Sequence, residues 1–327
     1  MENYNFRKGL INGIITVLLI GLQPVISLSR PPIIDAFTFS TVTALFMAII
    51  FFPLFLIERF KLKKIVKTES NDRIHSLLSG WKQPRNIKLL VGIGIVFSIV
   101  PVLLIVGYDL AGAVNSSLAL KSEVIIALLA GYIFLNEKRI SKIQIFFCIT
   151  LILGLFIAIT QGFLKLFEIN LGVIILVGAV IIFTITHAFT KSGFDRNEIS
   201  PIQVVFIRNM LSGIILLVTY FIFFPLEGLI TVFRPEYLIY PFFMALDWGF
   251  SLLFWYRTLS YLQIGKAGVI MSLTPITSAI FSWIILGDEI TYFHLIGITI
   301  VIVSIYMIVR EKKGKKEFKK KKIDRLS

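Results

Sequence analysis

Long apolar blocks separated by short polar stretches set the pattern of this chain; Leu89–Val106 and Ile296–Val309 are two of them. A run of about 18 or more mainly apolar residues is long enough to cross a bilayer as a helix. Alternation with a period of two is absent, which argues against a membrane β-barrel. Ten such segments are expected, at roughly 9–29, 34–57, 88–108, 113–135, 141–161, 169–189, 201–224, 236–260, 266–286 and 291–310, with ends uncertain by several residues. Most connections are short. The exceptions are the polar stretch Glu58–Ile87, with Lys61, Lys63, Lys64 and Lys67, and the tail after Arg310, with Lys319, Lys320, Lys321 and Lys322.

Composition agrees with the pattern. Of 327 residues, 57% are hydrophobic and 16% charged, and the mean hydropathy is +0.88; a soluble domain carries more charge and shorter apolar runs. The single cysteine, Cys148, excludes an internal disulfide and a cysteine-based zinc site. The first apolar segment lacks a small-residue cleavage motif and is expected to stay as a first helix.

The net charge of +14 raises the question of nucleic acid, and its distribution answers against it. Aromatic residues sit inside the apolar blocks and not among the basic ones. With the N-terminus inside and ten crossings, 27 Lys and Arg fall on inner segments and three on outer ones: Arg30, Lys165 and Arg234. Three more, Lys121, Arg208 and Arg257, lie within spans. Such asymmetry is the positive-inside pattern of a multi-pass protein of the cell membrane with both termini cytoplasmic. The basic stretch 58–87 and the tail are either solvated charge runs or contacts for anionic lipid headgroups.

Displacing the chain by 151 residues lays Leu135-Asn136-Glu137 on Leu286-Gly287-Asp288 and Tyr132-Ile133 on Trp283-Ile284. Ile140-Ser141 then matches Ile290-Thr291 at 150. Each half reads as an apolar helix, an acidic turn, a hydroxyl residue and a final apolar helix. Five spans is an odd number, so the second half starts on the opposite side of the membrane. The expected fold is therefore an all-α integral membrane protein of ten transmembrane helices in two inverted five-helix repeats. The first covers 1–165, with its basic loop at 58–87; the second covers 166–310, followed by the basic tail 311–327.

The segment Leu120–Glu137 with Ile140-Ser141-Lys142-Ile143-Gln144, and its counterpart Leu273–Gly297, resemble the ends of EamA-type repeats of the drug/metabolite transporter superfamily. The resemblance covers nearly the whole chain in two copies and implies a ten-helix carrier. Its departures are Val124 where the first repeat usually has proline (the second keeps Pro275), Asn136 where glycine usually precedes the acid, and Phe147 where the last helix usually has glycine, as at Gly297. That family's cargoes range from amino acids and other metabolites to drugs and nucleotide-linked sugars, so the resemblance implies the class and not the cargo.

An ionisable side chain at mid-bilayer costs roughly 2.5–3.5 kcal/mol on insertion scales and calls for a partner, water or a task. The fourth span carries Lys121 and Glu123, two positions apart and so toward different sides of a regular helix. Glu123 shares a stripe with Asn115, Ser116, Ala119, Ala127, Ala130 and Gly131, a face that either packs closely or lines a cavity. It binds substrate or a proton, or forms a buried ion pair. Lys121 joins it or reaches outward. The eighth span offers Asp247 near its centre, and Trp255, which stacks on a ligand or packs. Arg257 is near enough to the inner end to reach water. Arg208 in the seventh span is a candidate partner for Asp247. Gln23-Pro24, Pro101 and Thr274-Pro275 interrupt their spans, as hinges or static kinks. His187 is weakly informative as a proton relay, and His75 and His294 lack metal-ligand companions.

The leading expectation is a secondary carrier for a small polar, amino-acid-like or zwitterionic metabolite. It binds Glu123, Lys121, Asp247, Asn115, Trp255 and Arg208 and works by alternating access, coupled to an ion or by exchange. No GxxxxGK[ST] loop is present, and no cofactor or metal is implied. The alternative is a membrane-embedded lipid-modifying enzyme, for which Asp288-Glu289 and Asn136-Glu137 lack a partner histidine, metal set or nucleophile. A channel lacks its ring of like charges.

Overall fold

The computed structural model describes residues 2–68, 72–134, 141–159, 170–262, 264–271 and 273–323. They form helices α1 Glu2–Leu28, α2 Ala36–Thr68, α3 Asp72–Ser79, α4 Pro84–Ala111, α5 Ala113–Ala119, α6 Glu123–Phe134 and α7 Lys142–Ile159. These are followed by α8 Leu171–Asp195, α9 Pro201–Phe223, α10 Leu226–Val232, α11 Pro235–Tyr261, α12 Ile264–Met271, α13 Thr274–Leu286 and α14 Tyr292–Ile323. No strand occurs among the described residues. Among the described residues seven helical stretches are long and apolar enough to cross a membrane, and three shorter apolar ones lie at Ile145–Ala158, Thr274–Leu286 and Tyr292–Met307. The stretch 135–140, with Asn136 and Glu137, and the stretch 160–169, with Lys165, lie outside the described residues.

Helix ends follow local chemistry. The Asn170 side chain accepts from the Gly172 N–H to start α8, and Ser200 accepts from Gln203 ahead of Pro201 at the start of α9. Gly287, at φ 73°, ends α13 in the left-handed conformation that glycine adopts without steric penalty.

Burial is distributed as lipid demands. Ile49, Phe52, Ile99, Ile152 and Phe223 point outward, while Gln23, Thr41, Ser117, Arg208, Asn209 and Asp247 are buried. With hydrocarbon as the surrounding solvent, apolar surface costs nothing outside and polar groups seek one another inside.

The main packing joins residues before 160 to residues after 170. α1 runs along α11 and α4 along α8; α2 packs on α9 and α7 on α14. α4 also meets α9 as α2 meets α11, and α1 meets α12 and α13 as α8 meets α5 and α6. Exchanging the two halves turns this set of pairings into itself. At the α7–α14 crossing, a Cβ built on Gly154 would stand 2.7 Å from Ile300, so the helices approach to glycine distance.

Four local expectations are corrected. Pro24 and Pro101 do not interrupt their spans: α1 and α4 continue through them, since neighbouring helices tolerate one missing backbone bond. The fourth span, expected as one helix, is broken by a 3-10 turn at Leu120–Ser122. That break lies at the position equivalent to the one before Thr274, although its half has no proline there. The basic stretch 58–87 is folded, with α2 extending to Thr68, then α3 and a 3-10 turn at Gly80–Lys82. Helix α14 continues to Ile323, well into the expected tail.

This folded stretch clamps the turn between α8 and α9. Glu198, buried, accepts from Arg85, from Asn86 Nδ2 at 2.9 Å and from Arg196 Nε at 2.8 Å. Arg59 donates to the Leu77 carbonyl at 3.0 Å and to Gln203 at 2.9 Å, and Ser200 donates to Glu58. Burial acts to raise the Glu198 carboxyl, but the hydrogen bonds from Arg196, Asn86 and Arg85 prevail and hold it below the usual carboxylate range. At the opposite end, Arg30 makes a two-pronged pair with Asp109, 2.8 Å from Nη1 to Oδ1, tying the α1–α2 connection to the end of α4.

Candidate functional site

Where the two broken helices meet α1, α4, α8, α9 and α11, a cavity of about 80 Å³ remains. Its charged side chains are Lys121, Glu123 and Arg208. Gln23, Tyr108, His187 and Ser251 add polar atoms, and Phe97, Phe183, Trp248 and Trp255 supply much of the apolar wall. A water molecule occupies roughly 30 Å³ of liquid, so the space is small beside most metabolites.

The 3-10 turn decides how the fourth span presents its charges. In a regular helix Lys121 and Glu123 would diverge; with the break between α5 and α6, both line the cavity. Lys121 donates from Nζ to the Met271 carbonyl at 2.7 Å. That carbonyl lies four residues before Pro275, which has no N–H to offer it. The Thr274 hydroxyl donates to the same oxygen at 2.8 Å, occupying its second lone pair. Glu123 begins α6 with Lys121 as its charged neighbour. Lys121, Glu123, Trp255 and Met271 also border a void of about 10 Å³ that continues past Ala127 and Gly268.

Arg208 is 1% exposed. Its guanidinium lies 3.4 Å from the centre of the Phe97 ring, and Nη1 donates to the Tyr256 hydroxyl at 3.2 Å. The expected Arg208–Asp247 pair is not formed among the described residues; Arg208 reaches Tyr256 instead. Asp247 sits just behind the wall, near Gln23 and Tyr108, and both its carboxylate oxygens are buried without a hydrogen-bond partner among the described residues. Gln23 instead donates to Ser251 at 2.9 Å. Asn115 on α5 does not line the cavity, and its Oδ1 is buried without a partner among the described residues. Trp255 lines the cavity on α11, its ring centre 6.2 Å from that of His187.

Sequence reasoning gave little weight to four residues here. His187 is ringed by Phe97, Phe183, Trp255 and Tyr256, with Nδ1 unpartnered among the described residues. Gln23 was noticed only beside its proline; a buried amide inside an apolar span was the available signal. Tyr108 and Tyr256 carry no mark in the sequence, since tyrosine is equally at home at a membrane interface. Among the described residues, no group of three or more His, Cys, Asp or Glu is placed to hold a metal.

An all-helical, apolar-surfaced bundle that holds charged side chains around a cavity between its halves defines a multi-pass membrane protein. Comparison supplies the family. The EamA-like transporter family model matches twice, over residues 7–160 and 170–310, and the chain belongs to that family, as the resemblance of its two repeat ends implied. No protein of curated function matches the chain. Among solved structures 27 chains match. One of them aligns with a TM-score of 0.62 at 11% identity, covering 92% of this chain and 96% of the other, a likeness of fold alone.

Proposed function

We propose that this chain is a secondary carrier for a small polar, zwitterionic metabolite, working by alternating access of two inverted five-helix repeats. The observation that carries the reading is the cavity between the halves, where Lys121, Glu123 and Arg208 share one small space. Charges kept in a membrane interior at such cost call for a ligand that complements them. The ten spans are α1, α2, α4, α5–α6, α7, α8, α9, α11, α12–α13 and α14. Pairings that survive exchange of the halves fit a two-fold relation, and an odd number of spans per half puts that axis in the membrane plane. In this reading Glu123, Lys121 and Arg208 contact cargo, Trp255 walls the site, and Asp247 and Asn115 act from behind it. Transport is driven by an ion gradient or by exchange.

The excess of basic residues on the inner segments supports both termini on the cytoplasmic side of the cell membrane, with the tail and the 58–87 region toward anionic headgroups. A melting-temperature screen of amino acids and related zwitterions on detergent-purified protein, followed by uptake of the stabilising compounds into proteoliposomes, tests the function. Saturable uptake that Glu123→Gln and Arg208→Gln abolish supports it. Compounds that bind but never enter the lumen contradict it.

A further inference from the structure

We infer that Lys121 is an exchangeable bolt between the two halves, and that the site admits cargo carrying a carboxylate or similar anionic group, which draws the Lys121 ammonium away from the Met271 carbonyl. This rests on the carrier reading and specifies its site. The bond joins the break in one half to the break in the other: Lys121 lies in the 3-10 turn Leu120–Ser122, and Met271 ends α12. The acceptor is a carbonyl that the end of α12 leaves without a helical donor, so an ammonium from the opposite half stands in for a missing backbone N–H.

An ammonium has three donors, of which one is bonded among the described residues, to Met271. Lys121 is 3% exposed and lines the cavity. A carboxylate in that space is a stronger acceptor for it than a neutral carbonyl, because both partners are then charged. Arg208 adds a second cation to the wall, against the single carboxylate of Glu123, so the wall favours an anionic group. Once Lys121 turns to cargo, Met271 keeps only the Thr274 hydroxyl, and the junction of α12 with α13 is freed to move. Cargo binding and release of the bolt are then one event, which is what a carrier needs in order to move only when loaded.

The full-length protein in lipid nanodiscs tests this in two arms, neither of which reads transport. The first is a double-mutant cycle in melting temperature. Lys121→Met lowers it in the native background and lowers it more in Thr274→Val, where the Met271 carbonyl is then left without either donor; an equal loss in both backgrounds overturns the bolt. The second is backbone hydrogen exchange of Thr274–Leu286 with acetate as the anionic probe and ethylammonium as the cationic one. Acetate speeds exchange severalfold in the native protein and not in Lys121→Met, and ethylammonium does neither. No response to acetate, or the same response in Lys121→Met, overturns the cargo-driven release. Failure of cargo uptake would sink the carrier reading while leaving the first arm's answer intact.

Discussion

The clamp on the basic face and the central cavity both bury carboxylates, and they treat them in opposite ways. Glu198 is met by donors from Arg85, Asn86 and Arg196, and that network joins the start of α4 to the α8–α9 turn. Asp247, as little exposed, has neither oxygen bonded among the described residues, and Arg208 turns to Tyr256 and Phe97. A saturated charge holds structure in place. An unsaturated one in a low-dielectric interior stores interaction energy that only a ligand, an ion or a change of conformation can release. The bundle is thus tied at its rim and left incomplete at its centre.

Substitutions sharpen this contrast, and the largest effect is functional. Glu123→Gln lowers uptake of a stabilising metabolite at least about tenfold, in line with losing one charged hydrogen bond of roughly 1.5–3 kcal/mol. Its melting temperature stays within a degree or so of the parent, because no contact of the clamp type is lost. Glu198→Ala does the reverse. It lowers stability by about 1–3 kcal/mol, toward the low end because Arg85 is half exposed, and uptake per folded molecule persists. Uptake lost in Glu198→Ala with stability intact would erase the distinction between the two regions.

Acid provides a graded version. Hydrogen bonds hold the Glu198 carboxyl below its ordinary value of 4.5, so its contribution is fully present above the ordinary range and is lost as pH falls through the depressed value. Melting temperature should decline in that acidic window, and Glu198→Gln should flatten the decline. The smallest effect is expected at Asp247→Asn. Replacing a carboxylate that has no hydrogen-bond partner among the described residues by a neutral amide leaves melting temperature unchanged or raises it slightly, where the same exchange of acid for amide at Glu198 lowers it. A large destabilisation at Asp247 would mean that its carboxylate is bonded after all.

Much of the fold was legible because lipid imposes a simple rule, that long apolar runs become helices, and α8, α9 and α11 lie close to their expected spans. The breaks were less so. Pro275 marked the ninth span correctly, yet Pro24 and Pro101 lie inside continuous helices and the fourth span breaks without any proline. Repeat position, and the cavity on which both breaks converge, outweighs local propensity there. Lys121, Glu123, Arg208 and Asp247 stood out as charges in apolar surroundings. What each one faces was hidden, because pairing across a sequence separation of 150 residues, as for Lys121 and Met271, leaves no local trace. The clamp looks like a basic loop in the sequence because its acceptor, Glu198, lies 113 residues from Arg85.

The opposite orientation of the two halves is the claim on which the cavity's role depends, and side-specific thiol labelling tests it most directly. In a Cys148→Ala background, Ile33→Cys follows the first span and Asp195→Cys follows the sixth, both at exposed positions. A membrane-impermeant maleimide applied to intact cells should label the protein carrying Ile33→Cys at once and the one carrying Asp195→Cys only after permeabilisation. Labelling of both from the same side would mean that the halves share one orientation, and the account would be wrong.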